Sequence, residues 1–96
     1  MTTLTDIKST DERNETEAAK LFGVELSNEM TEANTFYNGS DEYYAQAWHT
    51  KCGQVLVVSG DNNTFNAALR DADFDWPHDP YNEMSNYKAI AAAAGI

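Results

Sequence analysis

The residues best suited to catalysis are His49 and Cys52, because a thiol becomes a nucleophile only with help from a nearby base. They lie three positions apart, and Cys52 is the only cysteine of the 96 residues. A zinc site is not expected, since the other histidine, His78, is remote and no second pair of ligands exists. The sequence also lacks a glycine-rich phosphate loop. We therefore expect a protein that is not an enzyme and that uses no cofactor or metal.

The segment Asp71-Ala72-Asp73-Phe74-Asp75 resembles the start of a calcium-binding loop. In such a loop the sixth residue is glycine and the twelfth is glutamate. Here these positions hold Trp76 and Asn82. The segment is therefore not expected to bind calcium.

The excess of carboxylates is the strongest feature of the composition. Sixteen Asp and Glu stand against six Lys and Arg, for a net charge of −10. Residues 1–48 hold ten acids and three bases, whereas residues 49–96 hold six acids and three bases. Such a surface repels nucleic acid and anionic membranes and attracts a basic partner. The alternative is that the charge serves only solubility.

Several of the acids have spacings that suit a binding surface. Residues four apart on a helix project from one face about 6 Å from each other, and alternate residues of an extended chain lie about 6.6 Å apart. Such rows could imitate the charge of a DNA strand, which has one phosphate per ~3.4 Å. The predicted partner-binding residues are Asp11, Glu12 and Glu15 on the first predicted helix, Glu25, Glu29 and Glu32 at helical spacing, and Asp71, Asp73 and Asp75 at the spacing of an extended chain.

A helix-turn-helix is suggested by the segment Ala19-Lys20-Leu21-Phe22-Gly23-Val24, which has the small residue, glycine and valine of such a turn. The following helix would then span Ser27 to Glu32, which has two acids and no base. DNA phosphates would repel that helix. An ordinary helix end is the favoured interpretation, and a DNA-binding regulator remains an alternative.

Three strands are predicted to form the framework. Thr35-Phe36-Tyr37 is rich in β-branched and aromatic residues, residues 42–49 alternate loosely, and residues 54–59 form a continuous apolar run typical of a central strand. Asn38-Gly39-Ser40 predicts a hairpin turn, and Thr50-Lys51-Cys52-Gly53 predicts a second turn. The strands would form an antiparallel meander.

Four helices are predicted around this sheet. The first spans Thr10 to Phe22, opened by a capping box at Ser9 and closed by Gly23. The others span Asn28 to Ala33, Thr64 to about Asp73, and Asp79-Pro80 to Gly95. The predicted fold is α+β, a three-stranded antiparallel sheet packed with helices from the N- and C-terminal segments. Residues 1–96 would form one domain, with the polar residues 1–9 flexible.

The compartment is predicted from the cysteine content and the N-terminus. A single cysteine suits a reducing environment, and the N-terminal residues lack the basic and apolar regions of a signal peptide. The longest apolar run, Ala89 to Ala94, is too short to span a bilayer. We therefore expect a cytoplasmic protein. A monomer is also expected.

Over its full length the chain resembles the small acidic anti-CRISPR proteins of phages and mobile elements that act on type I-F systems. The resemblance rests on size, the opening Met-Thr-Thr-Leu-Thr-Asp, the segment Glu-Ala-Ala-Lys-Leu-Phe-Gly-Val-Glu at residues 17–25, and the acidic excess. These proteins share no catalytic motif, so the resemblance assigns no role to any single residue.

The resemblance implies a partner and a mechanism. The partner would be the crRNA-guided surveillance complex, at the basic target-DNA site on its large subunit beside a backbone subunit. Inhibitor and DNA would then compete for that site. Other DNA-binding proteins, such as a restriction enzyme or a nucleoid protein, remain alternative partners, as does a structural or virion role in which the charge confers solubility.

Overall fold

The computed structural model describes residues 2–10, 13–38, 41–61 and 63–74, together with Lys88, Ala89, Ala92 and Gly95. The side chains of residues 2, 28–38 and 41 lie outside this description. Within the described residues one helix accompanies one antiparallel sheet of five strands. The elements are β1 (Thr2–Lys8), α1 (Asn14–Phe22), β2 (Leu26–Asn38), β3 (Asp41–Thr50), β4 (Val55–Gly60) and β5 (Thr64–Arg70).

The strand order is β1-β5-β4-β3-β2, so β4 is central and β1 and β2 form the two edges. Strands β2 to β5 follow one another as a meander, and β1 pairs with β5. The chain passes from one edge of the sheet to the other between β1 and β2, and α1 lies on this connection, where it contacts β4 and β5. The helix therefore covers one face of the sheet.

All six residues of β4 are buried. Leu56 and Val58 belong to the core cluster under α1, whereas Val55 and Val57 belong to a cluster on the opposite face. This alternation follows from the two-residue period of a strand. A continuous β-branched run thus fits a strand that is covered on both faces, as predicted for residues 54–59.

Helix α1 confirms one end of its predicted range and corrects the other. Gly23 adopts a left-handed conformation with φ 73°, and its backbone caps the last turn, as the sequence predicts. The helix begins at Asn14 instead of Thr10, with Arg13 as N-cap and no side-chain capping bond. Ser9, predicted to cap it, instead bonds to the backbone of residues 61 and 63.

The α+β class is confirmed, but the sheet has five strands instead of the predicted three. The helix predicted from Asn28 to Ala33 is part of β2, and the helix predicted from Thr64 is β5. Residues 2–8, for which no regular element was predicted, form β1. In each case pairing with a distant strand overrides local helix or coil propensity, which is a weak influence by comparison.

The predicted C-terminal helix lies mostly outside the described residues. Lys88, Ala89 and Ala92 have helical backbone. Gly95 has φ 82°, and its N–H bonds to the carbonyl of Ala92.

Candidate functional site

The β2–β3 hairpin forms one side of the sheet. Asn38 pairs with Asp41, which confirms the hairpin predicted at Asn38-Gly39-Ser40, although residues 39 and 40 lie outside the described residues. The register also pairs Phe36 with Tyr43.

The same hairpin contains carboxylic acids but no Lys or Arg. Residues 26–50, here called the acidic hairpin, contain four carboxylic acids and no Lys or Arg. Residues 2–25 and 51–74, by contrast, each contain both acids and bases. The four acids are Glu29, Glu32, Asp41 and Glu42. The structure thus places a segment without basic residues at an edge of the sheet.

Glu29 and Glu32, both predicted to bind the partner, lie on β2 and not on a helix. Glu32 pairs with Ala47, and Glu29 lies where the register shifts between Leu26 and Met30. The helical spacing from which they were assigned to one row is therefore wrong. Both residues nevertheless belong to the acidic hairpin.

Glu25 precedes the acidic hairpin and is well exposed. Its carboxylate lies 3.5 Å from Lys51 Nζ, with 78% of the Glu25 side chain and 63% of the Lys51 side chain exposed. Exposed pairs of this kind contribute little to stability. Both residues line a cleft of about 320 Å³ whose apolar wall includes Ala19, Val24 and Leu26. The Lys51 ammonium offsets part of the local negative charge.

Glu15 differs from the other predicted residues because it is buried. Its residue is 6% exposed, and its carboxylate accepts a hydrogen bond from Arg13 Nε. The Arg13 guanidinium also lies 5.1 Å from the centre of the Trp48 ring. The charge of Glu15 is thus compensated by Arg13, whose side chain is exposed, and Glu15 presents little field to a partner.

Asp71 and Asp73 are exposed, but they do not lie on an extended chain. The N–H of Phe74 bonds to the Asp71 carbonyl at 3.0 Å, which closes a turn immediately after β5. The extended spacing predicted for this row is therefore wrong for these two residues. Asp11, Glu12 and Asp75 lie outside the described residues.

The predicted acids do not converge on one site. Glu25 and Asp71 lie at the same end of the sheet, because Leu26 pairs with Thr50, and Val55 pairs with both His49 and Arg70. Three strand spacings separate β2 from β5, or about 14 Å at ~4.8 Å per strand. The acids of the hairpin and the acids after β5 are consequently separate groups.

Glu42 and Asp61 were missed by the sequence prediction. Both line a cleft of about 230 Å³ together with Ser9, Thr10, Asn14 and Tyr44. The Asp61 carboxylate also accepts the N–H groups of residues 63 and 64, at 2.8 and 2.9 Å, so it holds the β4–β5 turn. Only the pairing of Tyr44 with Gly60 brings the two acids near each other.

Cys52 lies in an exposed turn, as predicted. Its sulfur is 3.1 Å from the Thr50 hydroxyl oxygen. Hydrogen bonds from this hydroxyl and from the Gln54 backbone lower the pKa of the Cys52 thiol below its usual range. Among the hydrogen bonds of the described residues, the partners of this sulfur are Thr50 and Gln54, not the predicted base His49.

No protein-family model, curated protein or solved structure matches this chain. In the part of the chain that the structure describes, no helix combines the length and the apolar character needed to cross a bilayer. The same residues hold no group of three or more His, Cys, Asp or Glu arranged for a metal ion. A functional assignment must therefore rest on the charge and the exposed elements of the chain itself.

Proposed function

We propose that this protein is a binding inhibitor of the type I-F crRNA-guided surveillance complex. It acts in the cytoplasm of the bacterial host and blocks target DNA by presenting negative charge to the DNA site on the large subunit and the adjacent backbone subunit. The observation that carries this proposal is the acidic hairpin, a segment without Lys or Arg at an edge of the sheet.

The physical argument starts from the field of the whole protein. A net charge of −10 on 96 residues raises the rate of encounter with a basic channel. Within this field the acidic hairpin has no Lys or Arg of its own to offset its carboxylates. A lysine- or arginine-lined channel that binds DNA phosphates is therefore its natural complement.

The alternative of a DNA-binding regulator is not favoured by the element that follows α1. The turn at Gly23 follows α1, as in a helix-turn-helix, but the next element is strand β2. A recognition helix would have to occupy the positions of this strand. The charge of the segment also opposes DNA contact, since residues 27–32 contain two acids and no base.

A competition experiment tests the proposal. A purified type I-F surveillance complex is titrated with the protein, and binding of a labelled target duplex is followed by fluorescence anisotropy. We expect loss of duplex binding that excess duplex reverses, and an inhibitor affinity that falls as salt rises. Unchanged duplex binding at saturating protein would refute the proposal. Parallel titrations of a restriction enzyme and a nucleoid protein would reveal a different DNA-binding target.

A further inference from the structure

The outer edge of β2 has backbone N–H and C=O groups that could pair with another strand. This edge strand is 13 residues long, and from Glu32 to Asn38 it pairs with β3 without a register shift. Alternate residues of such a strand direct their N–H and C=O groups away from the sheet. Within the described residues, no strand pairs with this outer side.

The opposite edge is less suited to further pairing. Strand β1 has seven residues, and its register shifts between Leu4 and Ile7. Within this irregularity Asp6 has φ 58°, and its N–H bonds to the side chain of Asn66. A bulge of this kind twists an edge strand and obstructs pairing. The regular part of β2 is therefore the better template for an added strand.

The charge of the acidic hairpin indicates which kind of strand could pair with the outer edge of β2. A second copy of the chain in this position would bring a second hairpin with four acids and no base beside the first. Each copy also has a net charge of −10, and a net charge this far from zero opposes association of two copies. A strand bearing lysine or arginine would instead gain from charge complementarity.

We infer that Glu32–Asn38 accepts an extended, Lys- or Arg-bearing segment of the partner protein as a sixth strand of the sheet. Residues 32–38 offer a template about 24 Å long at ~3.4 Å per residue. Backbone hydrogen bonds provide affinity in such strand addition, and side chains provide specificity. The inference rests on the proposed function for the identity of the partner, although the chemistry of the added strand does not depend on it.

A pair of peptides tests strand addition directly. The probe is a labelled seven-residue peptide of alternating lysine and valine, titrated with the full protein at 0.15 M salt. Its control has the same sequence and charge, with N-methyl groups on two adjacent central residues that block hydrogen bonding on both edges. We expect the control to bind at least tenfold more weakly. Equal binding of the two peptides would overturn the inference, because charge alone would then explain it.

A proline scan of Ala33, Asn34, Thr35 and Phe36 provides a second test. Successive N–H groups of β2 point alternately towards β3 and away from it. Proline at one alternate pair of positions should lower the melting temperature by removing bonds to β3. At the other pair it should weaken peptide binding at least fivefold with a smaller thermal effect. If peptide binding falls only in variants with the larger thermal effect, the inference is wrong.

The two proposals can fail separately. If the wild-type protein leaves DNA binding by the surveillance complex unchanged but still prefers the unmethylated peptide, only the proposed function fails. If the outward-facing proline variants inhibit the complex as well as the wild type does, strand addition is refuted and the proposed function stands. Sedimentation that shows self-association, abolished by those same prolines, would identify a second copy as the occupant and overturn the inferred partner.

Discussion

Neutralising Glu29 and Glu32 should weaken binding to the surveillance complex more than removing two charges from elsewhere. The double variant Glu29→Gln/Glu32→Gln changes the net charge from −10 to −8. The matched control, Asp6→Asn/Glu17→Gln, gives the same net charge. Asp6 lies on β1, at the edge of the sheet opposite β2, and Glu17 lies on α1. The comparison therefore separates the position of a charge from its number.

The expected difference follows from distance and screening. Four strand spacings separate β1 from β2, about 19 Å at ~4.8 Å each, which exceeds two Debye lengths of ~8 Å at 0.15 M salt. A partner cation against β2 thus gains almost nothing from Asp6. Contacting surface charges contribute about 0.2–1 kcal/mol per pair. Losing two such pairs should weaken binding about 2- to 30-fold, whereas the control should change it less.

The assay is competition against labelled target duplex, with surveillance complex held constant at 0.15 M salt. Circular dichroism and thermal unfolding should show both variants folded. Equal loss of affinity in the two variants would refute the positional argument, because net charge alone would then account for binding. Full inhibition by the Glu29→Gln/Glu32→Gln variant would remove the acidic hairpin from the binding surface.

Two further predictions concern the framework. Gly60→Ala should cost about 3 kcal/mol in urea unfolding, the upper end for overpacking, because an added Cβ would lie 2.6 Å from Phe65 Cα and against neighbouring backbone. The control Gly53→Ala meets open space and should cost about 1 kcal/mol, from its φ of 84° alone; equal losses would contradict the packing argument. Cys52 should reach half-maximal alkylation by iodoacetamide at a lower pH in the native protein than in 8 M urea, because folding lowers the thiol pKa. A Thr50→Val variant should move the native midpoint upward, and an unchanged midpoint would exclude the hydroxyl as the cause.

Local signals in the sequence predict the turns and the central strand. Gly23 ends α1 in the left-handed conformation that glycine favours. The Asn-Gly pair at 38–39 predicts the hairpin that joins β2 and β3. The apolar run at 54–59 predicts a strand buried on both faces, and β4 has that environment. Each of these features depends on neighbouring residues alone.

Strand β5 shows why other elements escaped prediction. Phe65, Ala68 and Leu69 match a helical stripe, whereas Phe65, Ala67 and Leu69 match one face of a strand. The structure adopts the second pattern: Phe65, Ala67 and Leu69 belong to the core cluster under α1, and Ala68 belongs to the cluster on the opposite face. Pairing with β4 on one side and β1 on the other satisfies the backbone and decides between the two.

The candidate site was predicted only in part for the same reason. Glu29 and Glu32 were assigned to a row through a helix that the protein does not form, since β3 pairs with this segment. Glu15 was counted as a surface charge, although it is buried and paired with Arg13. Glu42 and Asp61 become neighbours only through the pairing of β3 with β4.

The sequence alone therefore determines the negative charge, the α+β class, the turns at Gly23 and Asn38, and the central strand. These depend on composition or on a few adjacent residues. Tertiary structure decides which segments become strands and which acids share an edge, because those outcomes depend on pairing between distant residues. Thr2, for example, pairs with Leu69. The acidic hairpin depends on both sequence and tertiary structure. Its composition is visible in the sequence, but its place at the edge of the sheet follows from the strand order.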